Sequence, residues 1–269
     1  MISFKEKLQK GHVYGTAITV DSPLWPSIVQ SCGADFVFLD TEHIALGRKQ
    51  LTEMCRIYRA LGIAPVVRIP SPDPYRACQV IDDGAIGVVA PYLETVEQIR
   101  NLVGATKFRP LKGEKLQQIL HSKKNLEPKL RQYLERNNAE IVTIANIESV
   151  PALERLDDLL SIPGLDAVFI GPHDLSLSLG IPEQYTNPEF EKAVRTIIEK
   201  CKTFHLAVGI HLSDALDLQI KWANEGANIV IHSADMRLFR QQLHEDLTSI
   251  RRALGEKSGR ENLDVDHTI

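Results

Sequence analysis

Eight short apolar runs, spaced through 269 residues and separated by helical patterns, constrain this chain more than any other feature. They read YGTAITV (14–20), FVFLD (36–40), APVVRI (64–69), IGVVAP (86–91), EIVTIANIE (140–148), DAVFIG (166–171), AVGIHL (207–212) and NIVIHS (228–233). Between most of them the apolar period changes from strand-like to helical, as in LTEMCRIYRALG after the second run, VEQIRNLVGAT after the fourth and EFEKAVRTIIEKCKTFH before the seventh. The runs themselves are nearly continuous in Val, Ile, Leu, Ala and Phe, the pattern of strands covered on both faces. Several follow Gly33-Ala34-Asp35 or a relative of it at Gly84, Gly164 and Gly226, each a helix C-cap glycine opening a tight turn into a strand. Eight βα units in this length predict one domain over 1–269, an α/β fold of the (β/α)8 TIM-barrel class, with a doubly wound open sheet as the alternative.

Two connections exceed the rest. Residues 107–138 are basic and polar, residues 171–188 are rich in Pro, Gly and Ser, and both read as long βα excursions that cover a site. The end of the chain, ENLDVDHTI, reads as a loosely held polar tail. A net charge of −4 gives no electrostatic case for nucleic acid or an anionic membrane as partner. No run approaches the roughly 20 apolar residues of a membrane helix, and the charged start MISFKEKLQKGH does not resemble a signal peptide. Cys32, Cys55, Cys78 and Cys201 are scattered with no CxxC pair, which suggests neither a disulfide framework nor a zinc knuckle. The expectation is a soluble cytoplasmic protein.

In a (β/α)8 barrel the reactive end is the rim formed by the C-terminal ends of the strands. Charged or polar residues at those ends are Asp40, Glu42 and His43 after the second run, Arg68 in the third, Asn146 and Glu148 closing the fifth, and His173 with Asp174 just past the sixth. Glu148 and Asp174 arrive on neighbouring strands, where two carboxylates with open positions suit a hard divalent cation such as Mg²⁺ or Mn²⁺; capping of the following turns is the structural alternative. Arg68, the one cation inside VVRIP, requires an anionic partner, either Asp40 or Glu42 in a salt bridge or a substrate carboxylate or enolate. Asp40 and His43 are spaced to form a carboxylate–imidazole pair in which the acid sets the tautomer and raises the basicity of the ring. No lysine lies in any of the eight runs, which argues against Schiff-base chemistry.

DTEH, PVVRIP, DDGAIGVVAP, NIES and GLDAVFIGPHDLSLSLG, in this order and spacing from about Gly15 to about Asp235, resemble the HpcH/HpaI family of metal-dependent 2-oxo acid aldolases. The resemblance implies a barrel of the phosphoenolpyruvate/pyruvate-binding type, assembled as a homohexamer, a trimer of dimers with exchanged C-terminal helices. It implies Glu148 and Asp174 as ligands of Mg²⁺ or Mn²⁺, with Co²⁺ a further candidate, and a small-molecule 2-oxo acid as substrate. Arg68 matches the enolate-stabilising arginine, His43 with Asp40 the base dyad, and Asp82 a carboxylate associated with that dyad. Asn146 and the backbone at Gly171, His173 and Asp174 fall where the pyruvate moiety is held. The implied reaction is reversible cleavage of a 4-hydroxy-2-oxo acid to pyruvate and an aldehyde.

Three positions depart from the family pattern: Asn146 stands where glutamine is common, 109–115 replaces a Pro-Gly-Arg-Gly loop, and His173 occupies a place often held by a small residue. The cations Lys112 and Lys115 in that loop motivate a second reading, a citrate-synthase-like enzyme that condenses an acyl thioester with a 2-oxo acid. A third, a barrel that binds without catalysis, is disfavoured by retention of the whole acid, base and cation set.

Overall fold

In the computed structural model, which describes residues 2–121, 126–213 and 215–256, each of the eight apolar runs contributes one strand. They are β1 (Val13–Ala17), β2 (Phe36–Asp40), β3 (Ala64–Arg68), β4 (Gly87–Ala90), β5 (Val142–Ile147), β6 (Ala167–Ile170), β7 (Ala207–His211) and β8 (Ile229–Ala234). Among the described residues they close into a parallel barrel in sequence order, with β8 pairing back onto β1. Helix α1 (Phe4–Lys10) precedes the barrel; α2 (Trp25–Ser31), α3 (Arg48–Ala60), α4 (Pro74–Asp83) and α5 (Val96–Lys107) follow the first four strands. Next come α6 (Gly113–His121) and α7 (Pro128–Asn138), then α8 (Val150–Glu154) and α9 (Leu156–Leu160) after β5, and α10 (Pro172–Ser178) and α11 (Pro188–Thr203) after β6. Helices α12 (Leu216–Glu225) and α13 (Asp235–Ala253) complete the set. The (β/α)8 expectation holds and the open sheet is excluded.

Alternate strand residues divide between two cores, as the period of two requires. Val37, Leu39, Val67, Val88, Ala145, Ile147 and Val168 face the helices, and Phe36, Phe38, Val66, Val89, Ile144, Phe169 and Ile231 fill the barrel. The bulk inside is balanced by glycine: a Cβ on Gly15 would stand 2.6 Å from the Phe36 carbonyl oxygen, and one on Gly209 equally close to that of Ile229. Helix α1, started by a Ser3–Glu6 capping box, adds Phe4 and Leu8 to the interior core at the N-terminal end of the barrel. The same parity carries the last inward position of each strand to the open end. Asp40 continues Phe36 and Phe38, Arg68 continues Ala64 and Val66, and Asn146 continues Val142 and Ile144.

The two long segments part company. Gly171 to Asn187 does follow a strand, so 171–188 is a βα excursion at the reactive rim. Residues 107–138 are not: α5 already occupies the connection after β4, and α6 and α7 follow it, so this segment lies in the αβ connection that feeds the N-terminal end of β5. The tail ENLDVDHTI lies outside the described residues. Among the described residues no helix is long and apolar enough to cross a membrane.

Candidate active site

The barrel mouth opens into a cavity of about 740 Å³, lined among others by Phe38, His43, Arg68, Asn146, Asp174 and His211. Its centre is a cross-strand pair. Asp40 and Arg68 are register partners on β2 and β3, and the guanidinium donates from Nε and Nη2 to the two oxygens of Asp40 at 2.9 and 2.7 Å. This fork geometry is the strongest form of the pair. Glu42 joins it: its Oε2 stands 3.1 Å from Arg68 Nε, and its N–H donates to Asp40 Oδ1 at 3.0 Å. Burial works to raise the Asp40 carboxyl, but the hydrogen bonds and charge of Arg68, with the Glu42 N–H, hold it below the usual carboxylate value. Glu42, lacking such a fork, is pushed up by burial despite Arg68.

The base dyad is therefore arranged differently from expectation. Asp40 is committed to Arg68, and the carboxylate beside His43 is Glu42, with Nε2 and Oε2 3.7 Å apart. The strand register explains it, because Cα partners on adjacent strands bring Asp40 and Arg68 together while His43 lies beyond the strand end, half exposed to the cavity.

On the β5–β6 side, Glu148 is buried and accepts from the Tyr92 N–H at 2.7 Å and from the Asn146 side-chain amide. Burial pushes its carboxyl up to about 7, opposed by the Tyr92 hydrogen bond and reinforced by the charges of Asp174 and Glu42. Gly171 is required beside it, since a Cβ there would collide with Glu148 Oε2 and come within 2.9 Å of its Cβ. Asp174 projects from the first turn of α10, partly exposed. His173 stands beside it with Nδ1 3.8 Å from Asp174 and Nε2 3.7 Å from Glu183 Oε1.

Asp82 is not gathered into this mouth. It sits at the end of α4, just before β4 begins, 57% exposed and 2.9 Å from Arg109; a helix in a parallel barrel ends where the next strand starts, away from the reactive rim. Polar mouth residues not singled out from sequence include Glu183, Tyr185, His211, Ser213 and Arg237. The histidine closing AVGIH could have been found by the same strand-end scan. Arg237 carries a weaker signal, being placed two residues into a helix that starts at once after β8.

Glu148 and Asp174 fit a hard divalent cation by their chemistry. They are oxygen donors from adjacent βα units, and the buried member is pushed toward protonation by its burial and further by the other's negative charge, the situation a cation reverses. No cluster of three His, Cys, Asp or Glu groups suited to a metal occurs among the described residues, so remaining positions would fall to water or substrate.

A model of the HpcH/HpaI aldolase/citrate lyase family matches residues 18–242. The chain is 30% identical over 245 residues to the 2-keto-3-deoxy-L-rhamnonate aldolase of Escherichia coli (strain K12), covering 91% of each. A crystal structure of an HpcH/HpaI aldolase from Desulfitobacterium hafniense DCB-2 superposes with a TM-score of 0.81 at 25% identity, covering 97% of this chain and 100% of that one. The citrate synthase SbnG superposes with 0.79 at 27% identity, covering 95% and 100%. Fold, strand-end carboxylates and these similarities agree that the chain belongs to the HpcH/HpaI aldolase/citrate lyase family and is a carbon–carbon lyase.

Proposed function

We propose that the protein is a divalent-metal-dependent aldolase that reversibly cleaves a 4-hydroxy-2-oxo acid to pyruvate and an aldehyde. The observation that carries this reading is the convergence of Glu148, Asp174, Arg68 and His43 on one barrel mouth. Glu148 and Asp174 would hold Mg²⁺ or Mn²⁺, which supplies Lewis-acid polarisation of the 2-oxo group when bound. Asn146, fixed against Glu148, and the backbone of Gly171, His173 and Asp174 border the place for the pyruvate moiety. His43 Nε2, beside Glu42, takes the proton of the C4 hydroxyl; the C3–C4 bond breaks, its electron pair enters the pyruvate enolate, and Arg68 offsets the developing oxyanion. Protonation at C3 then releases pyruvate. Pyruvate release from 4-hydroxy-2-oxo acids is expected to stop on chelation and return with Mg²⁺ or Mn²⁺; full turnover by rigorously metal-free enzyme refutes the reading.

The similarity to SbnG keeps the condensing reaction as the second reading, although the cations that motivated it lie in the αβ segment before β5, where Lys115 pairs with Glu127 at 3.3 Å. The same preparation should release no thiol from acetyl-CoA with oxaloacetate.

Assembly is part of this proposal. Helix α13 buries only Asp235, while Met236, Phe239, Leu243, Leu247 and Ile250 form an exposed apolar stripe at helical spacing. Beside its start, a groove of about 450 Å³ is lined by Tyr14, Trp25, Ile28 and Phe239. Both features support packing of α13 against a second copy, consistent with the hexamer the resemblance implies. Light scattering of Leu243→Glu/Leu247→Glu should show a smaller species than the parent; an unchanged mass excludes this role for α13.

A further inference from the structure

Behind the barrel mouth, a polar pair joins helix α12 to the ends of β7 and β8. Helix α12 packs on both strands and buries Gln219 and Trp222, three residues apart on one face. Gln219 is 5% exposed, and a side-chain amide at that depth is costly unless its two ends are bonded. Both ends are. Nε2 donates to the Leu212 carbonyl, and Oε1 stands 3.0 Å from His232 Nδ1. A carbonyl only accepts, so the amide nitrogen is the end that faces Leu212. The amide oxygen then accepts from His232, whose ring carries a proton on Nδ1. Each partner thus fixes the orientation in which the amide serves the other.

The two partners sit on different kinds of ground. His232 has the opposite parity to Ile229 and Ile231, which fill the barrel, and it lines the groove beside the start of α13. Three residues later Asp235 accepts from the Thr19 N–H at 3.1 Å and from its hydroxyl at 2.6 Å, so this end of β8 is tied to the loop after β1. Leu212, by contrast, is the first residue beyond β7, and with Ser213 and Ala215 it borders the mouth cavity. A loop residue that shapes the cavity is therefore held, through one amide, by a strand end that is anchored elsewhere. With the 2-oxo acid end of a substrate at Glu148, Asp174 and Arg68, this border is left to the carbonyl partner.

We propose that Gln219 is a positioning residue for the aldehyde half of the reaction: oriented by His232, it fixes the Leu212 carbonyl and with it the cavity border against which the carbonyl partner lies. This rests on the aldolase reading above and adds to it two residues that act from behind the cavity wall.

The test compares two activities of the full chain with Mn²⁺. Exchange of the pyruvate methyl protons with D2O, followed by NMR, needs no aldehyde; addition of pyruvate to glycolaldehyde, glyceraldehyde or butanal does. Gln219→Met keeps the volume and removes both hydrogen bonds. It should raise KM for the best of these aldehydes about tenfold, the scale of a small displacement at a site border, while exchange stays within about twofold of the parent. His232→Leu, which frees the amide to turn, should show the same split to a smaller degree. His232→Asn, whose amide nitrogen donates from the place of Nδ1, should return KM toward the parent's. Because the two residues act as one unit, Gln219→Met/His232→Leu should be no worse than Gln219→Met. A parent-like aldehyde KM in Gln219→Met, a proportional loss of exchange and addition, or additive losses in the double variant overturns the proposal and leaves the aldolase reading standing. Absence of both exchange and addition in the parent removes the aldolase reading beneath it.

Discussion

The two ends of the barrel both carry buried charge, and they handle it in opposite ways. At the N-terminal end the charges complete one another. Lys107 pairs with Asp166 and donates to the Ile141 carbonyl; Asp166 also accepts from the Thr143 N–H and stands 3.1 Å from Lys5. Nearby, Lys7 meets Asp35, which also accepts from the Tyr14 N–H. At the C-terminal end Arg68 serves both Asp40 and Glu42, and Glu148 is left among Asp174 and Glu42 with its carboxyl pushed to about 7. The first end is closed as a structural joint. The second holds more negative charge than its own side chains neutralise, a condition that a bound divalent cation would relieve.

That contrast can be broken from either side. His43→Gln removes the proposed proton acceptor at the mouth and should lower kcat for pyruvate release by about 10²–10⁴-fold, with thermal stability close to the parent because the side chain is half exposed. Turnover near the parent's would mean that the base lies elsewhere. Lys107→Met at the other end should leave kcat/KM within about twofold, since surface-distant structural charges make no transition-state contact. Its effect belongs to stability. Burial lowers Lys107 from 10.5 to about 8 in the folded protein, so between those values the unfolded chain binds a proton that the folded one does not. Stability of the parent relative to Lys107→Met should therefore rise with pH across that window. Urea unfolding of the two proteins at several pH values reads this difference, and a fall across the same range would contradict it.

Most of the fold was legible because strand runs and helix periods are local. FVFLD shows how far that goes: its period of two placed Asp40 inward above Phe36 and Phe38 without reference to any other strand. What was not legible depends on neighbours in space. Whether Asp40 meets Arg68 or His43 is decided by the register of β2 against β3, and the position of Arg237 by the anchoring of Asp235 to Thr19. The placement of 107–138 could have been read, because VEQIRNLVGAT already fills the connection after β4. Asp82 and Asp83 share a motif but not an environment: Asp83 is buried against Arg48, while Asp82 faces Arg109 at the surface, and the letters DD do not distinguish them.

The tie between Asp235 and Thr19 spans 216 positions of chain. During synthesis the loop after β1 emerges long before its partner at the start of α13, so the ring of strands closes only once both have been made. Long-range closure of this kind slows folding and exposes unpaired strand edges while it is pending. A nascent chain that already displays Asp40, Arg68, Glu148 and Asp174 thus has the parts of the reactive corner before it has an enclosed pocket.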